Sequence, residues 1–137
     1  MSADNRIKQG LQKVLDAVDA DGEGVALDVG NYKCVRFQLA TEGGAAATIK
    51  FAISESDKQP DFSSSPSYTN RYSYAEYVDY DSGNATPGST GIVLTGTDVV
   101  QNVEINTNRI KWICPIVSGY SAGTLDMDCQ AVNDYTR

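Results

Sequence analysis

The residues that first invite a chemical reading are the acids of Asp19-Ala20-Asp21-Gly22-Glu23-Gly24. Alternating carboxylates ahead of a glycine can wrap oxygen ligands around a hard cation, which makes Asp19, Asp21 and Glu23 weak calcium candidates. The full loop spacing is missing, because Asp28 falls at position 10 and no Glu stands at position 12. A metal-free turn between strands accounts for the same residues, and no metal or other cofactor is expected. Asp79 with Asp81, and Asp126 with Asp128, could divide acid and base roles as paired carboxylates do in glycosidases. At i, i+2 on a strand, however, both side chains of a pair share one surface, and nothing marks either acid as buried. A solvated sheet face is expected there, and no catalytic residue is assigned.

The chain has no histidine. That removes the usual general base near neutral pH and with it Ser-His-Asp and Cys-His chemistry. Cys34, Cys114 and Cys129 are widely spaced, with no Cys-x-x-Cys. Three free thiols buried in strands are therefore expected, with Cys114 and Cys129 able to face each other across a final hairpin. The chain reads as a non-enzyme.

The tyrosines at 68, 72, 74, 77 and 80 are the most conspicuous feature outside the expected core. Tyrosine offers flat contact area with a hydrogen-bonding tip and suits both strands and recognition surfaces. Two readings stay open: two or three of these rings complete the core, or they present a contact surface.

The elements that must position these groups are strands. From Gly24 onward, short stretches of two-residue alternation are separated by Gly, Asn, Asp, Ser and Pro, as in a sandwich or barrel. The fold class expected is all-β: one antiparallel β-sandwich, jelly-roll-like or immunoglobulin-like, of about eight strands. Val35, Phe37 and Leu39, then Ala47, Ile49, Phe51 and Ile53, form two apolar rows on either side of Gly43-Gly44. Residues 33–40 and 46–54 read as a hairpin about those glycines. Residues 71–80, 91–95 and 99–105 read as further strands. Residues 109–117 and 124–132 read as a closing hairpin, with Ile110, Trp112, Cys114 and Ile116 facing Leu125, Met127, Cys129 and Ala131. Arg109 and Lys111 would then pair with Asp126 and Asp128 on the outer side.

Residues 13–19 are read as a first strand although Ile7, Leu11, Val14, Leu15 and Val18 also fit a helical stripe. The domain division is thus an N-terminal arm, 1–12, and a sandwich, 13–137. Glu55 to Asn70, with Pro60, Pro66 and Ser63-Ser64-Ser65, is longer than most connections in a compact domain and is expected to be a functional loop. A formal charge of −7 disfavours nucleic acid and anionic lipid as partners. No apolar run is long enough to span a bilayer, and no signal-peptide core is visible, so synthesis and retention in the cytoplasm of the cell that translates the chain are expected.

Several short motifs resemble a family of small tailed-bacteriophage virion structural proteins. They are Val14-Leu15-Asp16-Ala17-Val18 with Gly22 and Gly24, Val29-Gly30-Asn31-Tyr32-Lys33, Pro60-Asp61-Phe62, Asn70-Arg71-Tyr72-Ser73-Tyr74, Gly88-Ser89-Thr90-Gly91, Asn106 to Trp112, and Ser121-Ala122-Gly123-Thr124. The resemblance implies a β-sandwich located in the virion, a capsid decoration or cement protein that docks on the major capsid protein or another virion protein. It also implies a homo-oligomer, a trimer being compatible with a capsid. A tail- or head-fibre-associated subunit and a carbohydrate-binding module are the alternatives. The expected interface residues are Ile7, Leu11, Pro60, Asp61, Phe62, Tyr68, Tyr72, Tyr74 and Tyr77.

Overall fold

The computed structural model of the chain describes residues 11–133. Every regular element in that span is a strand, and all pairings are antiparallel. The strands are β1 (Gln12–Val18), β2 (Gly22–Glu23), β3 (Leu27–Asp28), β4 (Cys34–Ser54), β5 (Ser73–Tyr74), β6 (Tyr77–Asp79), β7 (Ala85–Thr86), β8 (Ile92–Thr95), β9 (Val100–Asn106) and β10 (Trp112–Val132). The all-β, sandwich-like expectation holds, with ten strands in place of about eight.

The connectivity differs from the expected one in a single systematic way. Residues 33–40 and 46–54 do not form a hairpin, and neither do 109–117 and 124–132. β4 and β10 are each one strand of 21 residues. They pair with each other from Trp112↔Ser54 at one end to Val132↔Cys34 at the other. Gly43 and Gly44 take positive φ, 77° and 71°, without reversing the chain. The reason is visible at the crossing: the Asp98 carboxylate accepts hydrogen bonds from Gly44 N at 2.9 Å and Ala45 N at 3.1 Å, satisfying amides that a tight turn would have used internally. On β10 the register slips between Ser118 and Ala122 and again between Ala122 and Thr124, and Gly119 and Gly123 also take positive φ. Bulges of this kind turn corners in sheets, so both long strands bend at the same level.

Each long strand therefore serves two half-sheets. In the first, the order is β1, the far half of β10, the near half of β4, β9, β6, β7. In the second, the near half of β10 carries β2 and β3, and the far half of β4 carries β8 and β5. Their inner rows meet in one core that joins Val35, Phe37 and Leu39 to Ala47, Ile49 and Phe51, with Leu125 and Met127 alongside. Phe37 and Phe51, one from each half of β4, pack with ring centroids 4.8 Å apart. That contact fills the space between layers.

The face assigned to residues 110–116 is corrected. Ile113 and Val117 enter the main core, whereas Trp112, Cys114 and Ile116 point to the opposite side, into a smaller cluster with Ala52 and Phe62. Cys114 pairs in register with Ala52 and Cys129 with Phe37, so the two thiols lie in different clusters and do not face each other. Both rows of this segment are apolar because a strand covered on both faces loses the alternation that would mark its inside. The expected outer ion pairs are exchanged as well. Lys111 binds Asp28 at 2.8 Å and Lys13 binds Asp126 at 3.4 Å. The span 71–80 divides into β5 and β6, separated where Ala75 N bonds Phe51 O at 2.8 Å. β1 starts at Gln12, inside the expected arm, and Ile7 lies outside the described residues.

Gly123 sits at the bend with φ 84°, where a Cβ would overlap the Ala45 backbone. Gly119, with φ 61°, has open space in that direction. Gly123→Val is expected to lower the unfolding free energy by about 3 kcal/mol through strain and overpacking, and Gly119→Ala by about 1 kcal/mol. Urea denaturation of the two variants checks the difference.

Candidate functional site

The long loop 55–72 lies on the outer side of the second half-sheet, and hydrogen bonds, not regular secondary structure, give it its shape. Its organiser is a pair, Asp61 and Asn70. Asp61 N donates to Asn70 Oδ1 and Asn70 Nδ2 donates to Asp61 O, both at 2.8 Å. The Asp61 carboxylate accepts from Ser63 N at 3.0 Å, from the Ser63 hydroxyl and from the Ser64 hydroxyl at 3.0 Å. Those bonds, the Ser63 hydroxyl foremost, hold the carboxyl below its ordinary pKa. Two of the three consecutive serines, Ser63 and Ser64, are thus engaged in capping one acid, and Ser65 O accepts from Asn70 Nδ2 at 3.2 Å.

Beyond that clamp, Ser67 N bonds Asn70 O at 3.0 Å and Asn70 N bonds Ser67 O at 3.2 Å. This closes a tight turn with Tyr68 and Thr69 at its tip, so Tyr68 is 83% exposed. Arg71 steadies the tip, its Nε donating to Tyr68 O at 2.7 Å and its guanidinium lying 4.6 Å from the Tyr68 ring centroid. The loop is fastened to the sheet by aromatics. Phe62 is buried against Tyr72, with centroids 5.1 Å apart, and Tyr72 packs edge-on against Tyr74. The Tyr72 hydroxyl donates to Ser64 O at 2.6 Å, and Trp112 Nε1 donates to Ser56 O at 3.0 Å. An open groove of about 620 Å³ runs beside the loop, lined by Ser54, Glu55, Ser56, Ser67, Arg71 and Tyr72 among others.

The expected interface residues therefore separate. Asp61 and Tyr68 are exposed on the loop, and Tyr72 and Tyr74 are half-buried as its fastening. Pro60 and Phe62 are buried beneath it. Tyr77 belongs to the main core, its ring against Phe51 and its hydroxyl donating to Gly91 O at 3.1 Å. Leu11 is exposed far along the chain, bordering a groove with Arg36, Tyr80 and Asp128. Arg71 was missed by sequence reasoning; its spacing of three from Tyr68 across a Ser-x-x-Asn turn was the available signal.

The calcium candidates do not converge. Asp21 Oδ1 accepts a hydrogen bond from Tyr120 N at 2.7 Å, and Glu23 lies in β2 beside Ile116. Among the described residues no group of three or more acids or thiols gathers as a metal site. The thiols are free and buried. Burial pushes Cys114 up to about 12, with Glu23 adding to the effect, and burial pushes Cys129 to about 12 as well. Thiols held protonated are poor nucleophiles and poor metal ligands. Elsewhere, Glu104 is buried on the outer row of the first half-sheet, accepting from the Cys34 thiol at 2.7 Å and from Arg36 Nε at 3.4 Å.

No protein-family model matches the chain, and no curated protein matches it in sequence. Its fold is similar to the crystal structure of SPBc2 prophage-derived protein YomS, with a TM-score of 0.64 over 89% of this chain and 91% of that one, at 8% identity. At such identity the likeness is one of fold.

Two outcomes follow from the way the loop is fastened. Phe62→Ala is expected to lower stability by about 3 kcal/mol, and Tyr68→Ala by less than about 0.5 kcal/mol, in chemical denaturation. Raising the pH is expected to weaken the fold. Cys114 and Cys129 rise from 9.0 and Tyr72 from 10.0, each to about 12, Tyr72 chiefly through burial with Tyr74 adding to it. Between those values the unfolded chain releases protons that the folded chain retains, so the contribution of these three groups is full below pH 9 and is lost as pH climbs toward 12. Thermal melts across that range, with iodoacetamide labelling of the native thiols, check it.

Proposed function

We propose that the protein is a non-catalytic structural subunit of a tailed-phage virion, a decoration protein that docks on the capsid lattice and stabilises it. The observation that carries this reading is the fold shared with a prophage-derived protein along nearly the whole of both chains. The site's geometry supports a docking role over a chemical one. Asp61, Asn70, Arg71 and the aromatic fastening pre-form the loop, so little ordering entropy is lost when it meets a partner. Tyr68 with Arg71 at the tip is a pairing of residue types enriched at protein interfaces. On a repeating lattice, many weak tip contacts add through avidity. The protein partner is the major capsid protein or another virion protein.

The test is to separate heads from tails of purified particles and identify the protein in each by mass spectrometry. Purified protein is then added to heads that lack it. The expected result is recovery with heads, co-sedimentation, and a higher temperature of genome release. A Tyr68→Ala/Arg71→Ala variant is expected to bind at least about tenfold more weakly with an unchanged melting temperature. Absence from particles overturns the reading, and recovery with tails alone replaces the decoration role by a tail-associated one.

A further inference from the structure

Among the described residues, the edge of β8 is the least guarded part of the sheet. β8 has β4 as its strand neighbour, in the register Ala46↔Thr95, Ala47↔Leu94, Thr48↔Val93, Ile49↔Ile92. Gly96 N bonds Ala45 O at 3.0 Å, which makes Ala45↔Gly96 a hydrogen-bonded pair and, by alternation, Leu94 and Ile92 the next residues turned toward β4. The backbone N–H and C=O groups of Val93 and Thr95 consequently point away from the sheet. The Val93 side chain is 57% exposed, while Ile92 and Leu94 are buried.

Sheet edges are normally protected by charge, proline, bulges or cover. β1 has two register shifts, Lys13, Asp16 and a positive φ at Ala17, and Val25 N bonds Val14 O. β7 is two residues long and runs into Pro87, and β5 is two residues long. Among the described residues, β8 has none of these devices. From Ser82 to Thr97 the chain carries no charged side chain, in a protein whose net charge is −7. A second copy of an acidic chain therefore meets no like charge from this segment.

We propose that β8 pairs antiparallel with β8 of a second copy, joining two second half-sheets across a twofold axis. The geometry selects the register. The outward groups of Val93 meet those of Thr95 in the other copy, and the reverse, giving four backbone hydrogen bonds of the ordinary ladder kind. Leu94 then lies opposite its own counterpart on the axis, so the inner row stays inner and Val93 and Thr95 stay on the outer face in both copies. An isologous contact of this kind closes on itself and leaves the loop tip of each copy free. The contact does not depend on the virion reading.

Sedimentation equilibrium from micromolar to millimolar protein, together with amide hydrogen exchange at both ends of that range, tests it. A monomer–dimer equilibrium is expected, with Val93 and Thr95 amides protected at high concentration and exposed on dilution, while Ile92 and Leu94 amides do not change. Val93→Lys places an ammonium group on the edge of each copy and is expected to weaken dimerisation at least about tenfold without shifting the monomer's melting temperature. Thr95→Lys is expected to do the same, which keeps the test sound if one variant folds poorly. A monomer throughout the range, a dimer indifferent to both lysines, or edge protection that arises only when another protein is added overturns the proposal.

Discussion

The whole architecture depends on one coincidence of bends. β4 and β10 are paired along their full length, and each must turn a corner at the same height for the sheet to fold over its own inner face. The corner is built from positive-φ glycines, Gly43 and Gly44 on one strand and Gly119 and Gly123 on the other, and from the close approach of Gly123 to the Ala45 backbone. At Gly123 a side chain is excluded for two reasons at once, conformation and space, and at the other three by conformation. The Asp98 carboxylate then holds the two amides the bend exposes. Everything else follows: Phe37 reaches Phe51 because the bend brings two halves of one strand face to face.

A sheet folded in this way has two outer faces, and the chain treats them differently. Over the second half-sheet it lays the loop 55–72, which creates a satellite core of Ala52, Phe62 and Cys114 with Tyr72, Tyr74 and Trp112. That face is apolar because it is covered. The outer row of the first half-sheet stays polar, with Arg36, Gln38, Asn102 and Asp128, and it buries Glu104 only in company with Cys34 and Arg36. The aromatic-rich segment is therefore largely an internal fastening, with Tyr68 held outward at a tight turn.

Much of this was legible in the chain before folding. Alternation at 35–39, 47–51 and 125–131 identified the strands and their buried rows, because period two is a local property of extended backbone. The absence of histidine and the isolation of the thiols are facts of composition, and the burial of all three thiols agrees with the strand reading. Gly43-Gly44 marked the place where the chain must deviate. Whether that deviation reverses the strand or bends it is decided by partners distant in sequence: Asp98 for the amides, and β10 for the continuous ladder. No local pattern distinguishes these outcomes.

What the sequence by itself determined, then, is the class of element, the size of the core rows and the chemistry that is unavailable. What only the tertiary structure decided is pairing and sidedness. Segment 112–117 is apolar on both rows, and its inner row became Ile113 and Val117 only because Phe62 and Tyr72 cover the other. The five tyrosines divide among core, fastening, tip and surface for the same reason. A side chain's role is set by what packs against it from afar, and hydrophobic burial, being non-directional, leaves that choice to the assembled fold.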